Sequence, residues 1–236
     1  MPNNISPWIV VKLGGTSVSR ADYWDNLISV LREWRAAGRR VLIVQSALSG
    51  ITDALEALLK EPSADARRER LVTIEARHAA LAREMGVDAS AALQPVLATL
   101  AADTAQINED PPPALHARIL AAGELLASCL GAAYLRKQGV VVDLCDARTL
   151  LRASPLPGQS VRGRYLSAAC AVHPEGAFAK RLGADDGFVL TQGFIAADAD
   201  DGTVVLGRGG SDTSAACFAA ALGAERLEIW TDVPVL

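Results

Sequence analysis

The stretch Trp8-Ile-Val-Val-Lys-Leu-Gly-Gly-Thr-Ser-Val18 decides how the chain reads. A β-rich run ends at Leu13 and meets Gly14-Gly15, the pattern of a buried strand entering a tight turn. Glycines at such a turn let backbone N–H groups approach an anion closely. Thr16 and Ser17 add hydroxyl donors, and a following helix lends its positive end. Lys12 stands at the carboxyl end of the strand, where ligands bind in open α/β sheets. A glycine pair alone fits a plain βα turn with an exposed lysine equally well.

Working outward, Trp24, Leu27, Ile28, Leu31 and Trp34 form one helical stripe over residues 22–37, and Gly38 ends it where a left-handed cap is cheap. Residues 41–44 read as a second strand, followed by a polar, glycine-containing turn over 45–50. Strand, turn, helix, strand is the signature of a parallel sheet with crossover helices. From 51 to about 135 the chain is Ala/Leu/Arg-rich and helical in period, broken at Pro62-Ser63, at Gly86-Val87-Asp88 and at Pro111-Pro112-Pro113. That predicts a helical insertion packed on the sheet edge, with the prolines as a stiff connector. A third strand is expected at 140–144 and a loop at 153–163. Residues 188–191 and 203–206 are expected to pair as a hairpin around Asp198-Ala-Asp-Asp-Gly202. A helix over 211–222, capped by Gly223, and a last strand at 227–231 complete the pattern.

The 236 residues are half hydrophobic and only 5% aromatic, so the core must be built from Ala, Leu and Val in close helix-on-sheet packing. A net charge of −4 supplies no basic footprint for nucleic acid. Cys129, Cys145, Cys170 and Cys217 lie far apart, and His78, His116 and His173 show no ligand spacing to them. No metal site is expected from the protein's own side chains, and the natural reading is a reduced, cytoplasmic protein. No apolar run is read as membrane-spanning, and no signal peptide is read at the N-terminus.

A second glycine-rich turn, Gly207-Arg-Gly-Gly-Ser-Asp-Thr-Ser214, opens an Ala-rich helix. Capping by Ser211 or Asp212 explains part of it. It leaves unexplained an arginine between glycines, a placement suited to bidentate capture of a carboxylate or phosphate. Neither turn is a Walker A loop or a dinucleotide fingerprint, so a phosphate site here belongs to another class of nucleotide binder.

Six motifs in order make the chain resemble the aspartate kinase family. Lys12-Leu-Gly-Gly-Thr-Ser-Val18 resembles the family's opening signature, with Leu13 in place of the usual aromatic. Ser46-Ala-Leu-Ser-Gly-Ile-Thr52, Ala122-Gly-Glu-Leu-Leu-Ala-Ser128, Thr191-Gln-Gly-Phe-Ile195, Gly207-Arg-Gly-Gly-Ser-Asp-Thr-Ser-Ala215 and Trp230-Thr-Asp-Val233 follow. The resemblance implies a three-layer αβα sandwich with a largely parallel central sheet. It also implies ATP-dependent phosphorylation of the L-aspartate side-chain carboxylate, the first step toward lysine, threonine and methionine. A related kinase acting on another carboxylate, and a non-catalytic amino-acid-binding fragment, are the alternatives.

The same resemblance implies roles. Lys12 contacts the transferring phosphoryl group, and Asp212 holds the lysine and the glycine turn. Ser46 and Thr52 line the amino-acid pocket, Glu124 pairs with the substrate ammonium and Arg208 with its α-carboxylate. Leu13, Gly14, Gly15, Gly209, Gly210, Ser211, Thr231 and Asp232 border the nucleotide, with Mg²⁺ held through the phosphates. A homo-oligomer is expected of the full-length protein. In the family, further strands and regulatory domains follow the position of Leu236, so the chain reads as one kinase domain, 1–236, cut short at its C-terminal end. That implies an unpaired sheet edge near 227–231. The segments Trp8-Ile-Val-Val11 and Ile229-Trp-Thr-Asp-Val-Pro234 resemble bacterial forms fused to diaminopimelate decarboxylase.

Overall fold

The structure, a computed structural model, describes residues 8–170, 182 and 188–231. His173 and Asp232 lie outside the described residues. The chain begins β1 (Trp8–Leu13), α1 (Gly15–Val18), α2 (Ala21–Ala36), β2 (Arg40–Gln45). Four helices follow, α3 (Ile51–Leu59), α4 (Ala64–Glu84), α5 (Ser90–Thr104) and α6 (Pro113–Lys137). Next come β3 (Val142–Cys145), α7 (Ala147–Leu150), β4 (Ala153–Ser154), α8 (Val161–Leu166) and β5 (Ala169–Cys170). The described chain closes with β6 (Phe188–Gln192), β7 (Ile195–Ala197), β8 (Thr203–Val205), α9 (Gly210–Leu222) and β9 (Arg226–Trp230).

Five strands make one sheet in the order β3-β6-β2-β1-β9, and every neighbouring pair is parallel. Strand β2 buries Val41 to Val44 completely, as a central parallel strand covered on both faces must. Successive side chains of a strand point to opposite faces. Leu13 borders the same small cavity as Trp24 and Leu27 of α2, while its neighbour Lys12 meets Asp212 of α9. Helices α2 and α9 therefore cover opposite faces, which makes the three layers.

Helix α2 is held by the stripe that the sequence announces, with Trp24, Leu27, Ile28 and Leu31 all buried. It ends with Gly38 at φ 71°, its N–H donating to Arg35 O at 2.9 Å. The breaks inside 51–135 also fall where turn chemistry puts them. Ser63 caps α4 by accepting from Ala66 N at 3.3 Å, and Gly86 takes φ 61° after its end. Pro113 opens α6 as its first residue, where its missing N–H costs nothing, so only part of the proline run is a connector.

The helical segment does not sit on the sheet edge. Helix α6 lies across the sheet against β2, β3 and β6, and α3, α4 and α5 stack outside it. Close approach explains this: a Cβ on Gly123 would come within 3.0 Å of Ala47 Cβ, and one on Gly131 within 2.5 Å of Gln45 Oε1. By length and composition α6 is apolar enough to cross a membrane, contrary to the reading of the sequence, but most of it is buried inside the protein.

Three further features bear on the reading of the sequence. Phe188–Gln192 is a strand of the main sheet, and the hairpin pairs Ile195–Ala197 with Thr203–Val205 instead. Gly193-Phe194, with Phe194 at φ 67°, separates the two strands, and β7 on its far side is as fully buried as β6. The Cys170 and Cys217 sulfurs come side by side, with Cα atoms 7.1 Å apart, and Cys129 and Cys145 are free thiols among the described residues. Spacing along the chain carries no trace of that pairing because α9 and β5 meet only in the folded state. Finally, as expected near 227–231, β9 pairs with β1 alone among the described residues and forms a sheet edge.

Candidate active site

Three turns converge at the carboxyl ends of β1 and β2 and at the start of α9. The first, Gly14-Gly15, is tied to both of its neighbours. Gly14 N donates to Trp230 O at the end of β9, at 3.0 Å, and Ser49 N donates to Gly15 O at 3.2 Å. A Cβ on Gly15 would lie 2.8 Å from Ala47 O, so the β1 and β2 turns can touch only through a glycine. Ser19 reinforces the contact, its hydroxyl donating to Gly15 O at 2.6 Å and accepting from Ser49 N at 2.8 Å.

The turn before α9 is shaped by left-handed backbone. Gly207 and Gly209 take φ 74° and 72°, with Arg208 between them. Gly209 is the N-cap of α9, and neither Ser211 nor Asp212 caps the helix with its side chain. The capping reading of the sequence therefore fails: Asp212 turns to Lys12, with Nζ to Oδ1 at 2.8 Å. The lysine is nearly enclosed (12% exposed) and the aspartate half exposed (50%). A cation is thus held beside the glycine turn of β1 by a carboxylate from the other end of the chain.

Phe194, after β6, also takes a positive φ of 67°, a conformation a bulky residue adopts only under constraint. Ser214 supplies part of the constraint, accepting from Phe194 N at 2.9 Å and donating to Gly210 O at 2.8 Å. A Cβ on Gly210 would lie 2.7 Å from Phe194 Cδ2, and one on Gly193 2.7 Å from Ser211 Cβ. The β6 turn and the start of α9 interlock.

These turns enclose a cavity of about 370 Å³ whose wall includes Lys12, Ser46, Thr52, Glu124, Phe194 and Arg208. Glu124 is its most unusual group. It is 3% exposed, its Oε1 accepts from Ala47 N at 3.2 Å, and its Oε2 has no hydrogen-bond partner among the described residues. Burial pushes its pKa up to about 8, against the opposing pull of the Ala47 N–H. A buried carboxyl with one free oxygen in a cavity is built to receive a donor, and a cationic donor returns it to the charged form.

Of the expected site residues, Lys12, Gly15, Ser46, Thr52, Glu124, Arg208, Gly209, Gly210, Ser211 and Asp212 meet around this one cavity. Leu13 contributes no side chain, being buried in the core at 3% exposure. Thr231 is exposed at the end of β9 beside Gly14, next to the turn but outside the cavity wall. Phe194, Ser49 and Asp53 also line the cavity although the sequence suggested no role for them. Phe194 and Ser49 stand inside motifs already quoted, so motif membership was the available signal. A second cavity of about 370 Å³ lies between α5 and α6. Its wall is mainly apolar, and it has neither of the glycine turns.

Residues 7–236 match the model of the amino acid kinase family. The chain is 33% identical over 236 residues to lysine-sensitive aspartokinase 3 of Escherichia coli strain K12, covering 98% of this chain and 50% of that protein. It is 28% identical over 232 residues to an aspartokinase of Chlamydia muridarum, covering 95% and 48% respectively. The crystal structure of E. coli aspartokinase III in complex with aspartate and ADP has a similar fold, with a TM-score of 0.80 at 30% identity over 96% of this chain and 49% of that one. The chain spans about half the length of the curated relatives it matches. From the glycine turns to the end of β9, it belongs to the amino acid kinase family.

Proposed function

We propose that the chain binds ATP and L-aspartate and directs transfer of the terminal phosphoryl group to the aspartate side-chain carboxylate, as part of a cytoplasmic aspartate kinase. The observation that carries this reading is the buried Glu124 carboxyl with its free oxygen, in one cavity with Arg208 and Lys12. Glu124 takes the ammonium of a free amino acid and Arg208 its α-carboxylate, which leaves the side-chain carboxylate for reaction. An N-acylated amino acid has no cation to offer Glu124, so the related kinases of such substrates are the poorer match. The solved relative that shares the fold was crystallised with aspartate and ADP, which supports the same pairing of ligands.

A carboxylate is already a nucleophile, so no general base is needed. The task is to bring two anions into line and neutralise charge on the phosphoryl oxygens. Lys12, steadied by Asp212, supplies a fixed positive charge at that point. The space above Gly209 is open, since a Cβ there would meet nothing within 4 Å, and Gly15 and Gly210 line the same cavity. These backbone positions fit nucleotide phosphates, with Thr231, beside Gly14, toward the rest of the nucleotide. Mg²⁺ carried on the phosphates adds charge neutralisation when bound.

Calorimetric titration with L-aspartate and N-acetyl-L-aspartate tests the assignment. L-aspartate should bind and the acetylated form should not. Arg208→Ala should weaken L-aspartate binding by about 1.5–3 kcal/mol, the worth of a charge-assisted pair. Equal binding of both compounds, or an unchanged affinity in Arg208→Ala, overturns it.

A further inference from the structure

We infer that Ser128 and Gln192 are positioning residues that set where the Glu124 carboxylate stands in the amino-acid cavity, acting through helix α6. The inference rests on the reading of Glu124 given above. Both residues belong to motif stretches, yet neither lines that cavity, and both are buried, at 0% and 2% exposure. Gln192 Nε2 donates to Ser128 Oγ at 2.7 Å, across 64 residues of chain, and the serine hydroxyl donates onward to Leu125 O at 3.1 Å. The other end of the amide is also engaged, Gln192 Oε1 accepting from Ala147 N at 2.8 Å. The glutamine at the end of β6 is thereby clamped at both ends, with α6 on one side and α7 on the other.

Ser128 lies four residues beyond Glu124, on the same face of the helix and one turn along. At that level a second glutamine does similar work from β2. Gln45 Nε2 donates to Ala127 O at 2.9 Å, and two residues later Ala47 N donates to Glu124 Oε1 at 3.2 Å. The two strand ends are themselves joined, Gly193 N donating to Gln45 O at 2.8 Å. Helix α6 is thus pinned to the ends of β2 and β6 immediately below its functional carboxylate.

Apolar side chains of similar volume would hold the layers together without the desolvation that buried amides suffer. Directional hydrogen bonds do something that packing does not: they fix rotation about the helix axis. A carboxylate about 6 Å from that axis moves on the order of 1 Å for a 10° turn, enough to carry an ion pair out of hydrogen-bond range.

The test compares Ser128→Ala, Gln192→Met and the double variant in the full chain. Ser128→Ala leaves the Gln192 amide N–H without its acceptor, so both thermal stability and L-aspartate affinity should fall, the affinity about tenfold or more. The double variant removes the orphaned amide N–H but leaves Ala147 N without its acceptor, so its melting temperature should stay below wild type, and its aspartate affinity should stay about tenfold weak. A purely structural role predicts wild-type aspartate affinity in both variants when binding is measured well below their melting temperatures, and that result overturns the inference. If L-aspartate fails to bind the wild-type chain, the functional reading falls on its own, and Glu124 itself becomes the probe. Carbon-13 NMR of labelled glutamate carboxyls reports its titration midpoint. A midpoint displaced in both Ser128→Ala and the double variant supports the clamp, and an unmoved midpoint in both overturns it.

Discussion

At neutral pH a carboxyl whose pKa has been pushed to about 8 mostly holds its proton, and Glu124 is such a group. An arriving ammonium favours the carboxylate, so aspartate binding at pH 7 should release up to about one proton. Calorimetry in buffers of different ionisation heat measures that release, which should vanish in Glu124→Gln. Affinity should rise as pH goes from 6 to 8. The same shift has a consequence for folding. Because the folded-state pKa lies above the ordinary 4.5, the folded chain keeps a proton that the unfolded chain gives up. The stability this contributes is fully present below pH 4.5 and is lost as pH rises through about 8. Denaturant midpoints at pH 6 and pH 9 should differ less in Glu124→Gln than in wild type. Lys12 makes a separate prediction. On the proposed reading of Lys12 as a charge facing the transferring group, Lys12→Ala should lower turnover on the order of 10²-fold, with a much smaller change in the Michaelis constant for aspartate. Near-normal turnover in steady-state assays would leave Lys12 only its pairing with Asp212. Lys12 and Glu124 were both legible in the sequence as motif residues. The burial that tunes Glu124 was only hinted at, since its place after Gly123 and before an apolar run argues against a surface acid but does not say what covers it.

Helix α6 is where element-scale packing decides the site. Its Gly123, Ala127 and Gly131 recur every fourth residue; Gly123 meets Ala47, Ile51 and Leu55 of the β2 turn and α3, and Gly131 meets Gln45 of β2 and Trp24 of α2. Helix propensity alone says that Gly131→Ala should stabilise the chain by up to about 1 kcal/mol. Packing says the opposite. The new methyl would overlap the Trp24 ring and lie 2.5 Å from Gln45 Oε1, and Trp24 is itself 2% exposed, with no room to retreat. Overpacking of this kind costs about 1–3 kcal/mol, so net destabilisation is expected, read as a lowered urea midpoint. A raised midpoint would mean that α6 has slack against β2. The helix was readable from its period and from Pro113, but its place across the sheet was not. Periodicity reports which face is apolar and says nothing about which neighbour covers it.

At the scale of the whole molecule, β9 is a sheet edge among the described residues. Strand β9 has β1 as its one partner among the described residues, and Ile229 on it is 51% exposed. An unpaired edge with an apolar side chain templates association, and a lysine there opposes it. Ile229→Lys should therefore shift light scattering toward monomer while leaving aspartate affinity unchanged; the same scattering in both forms would clear the edge of that role. The sequence by itself determined the class of fold, the glycine turns at strand ends and the order of the motifs. Those depend on neighbours a few residues apart, through turn chemistry and hydrophobic period. Only the tertiary structure decided the sheet order β3-β6-β2-β1-β9, the meeting of Cys170 with Cys217 and the glutamine clamps on α6. Each of these joins residues far apart in the chain. Parallel strands connected by crossovers bring such residues together through packing between layers, and that packing leaves no periodic mark along the chain.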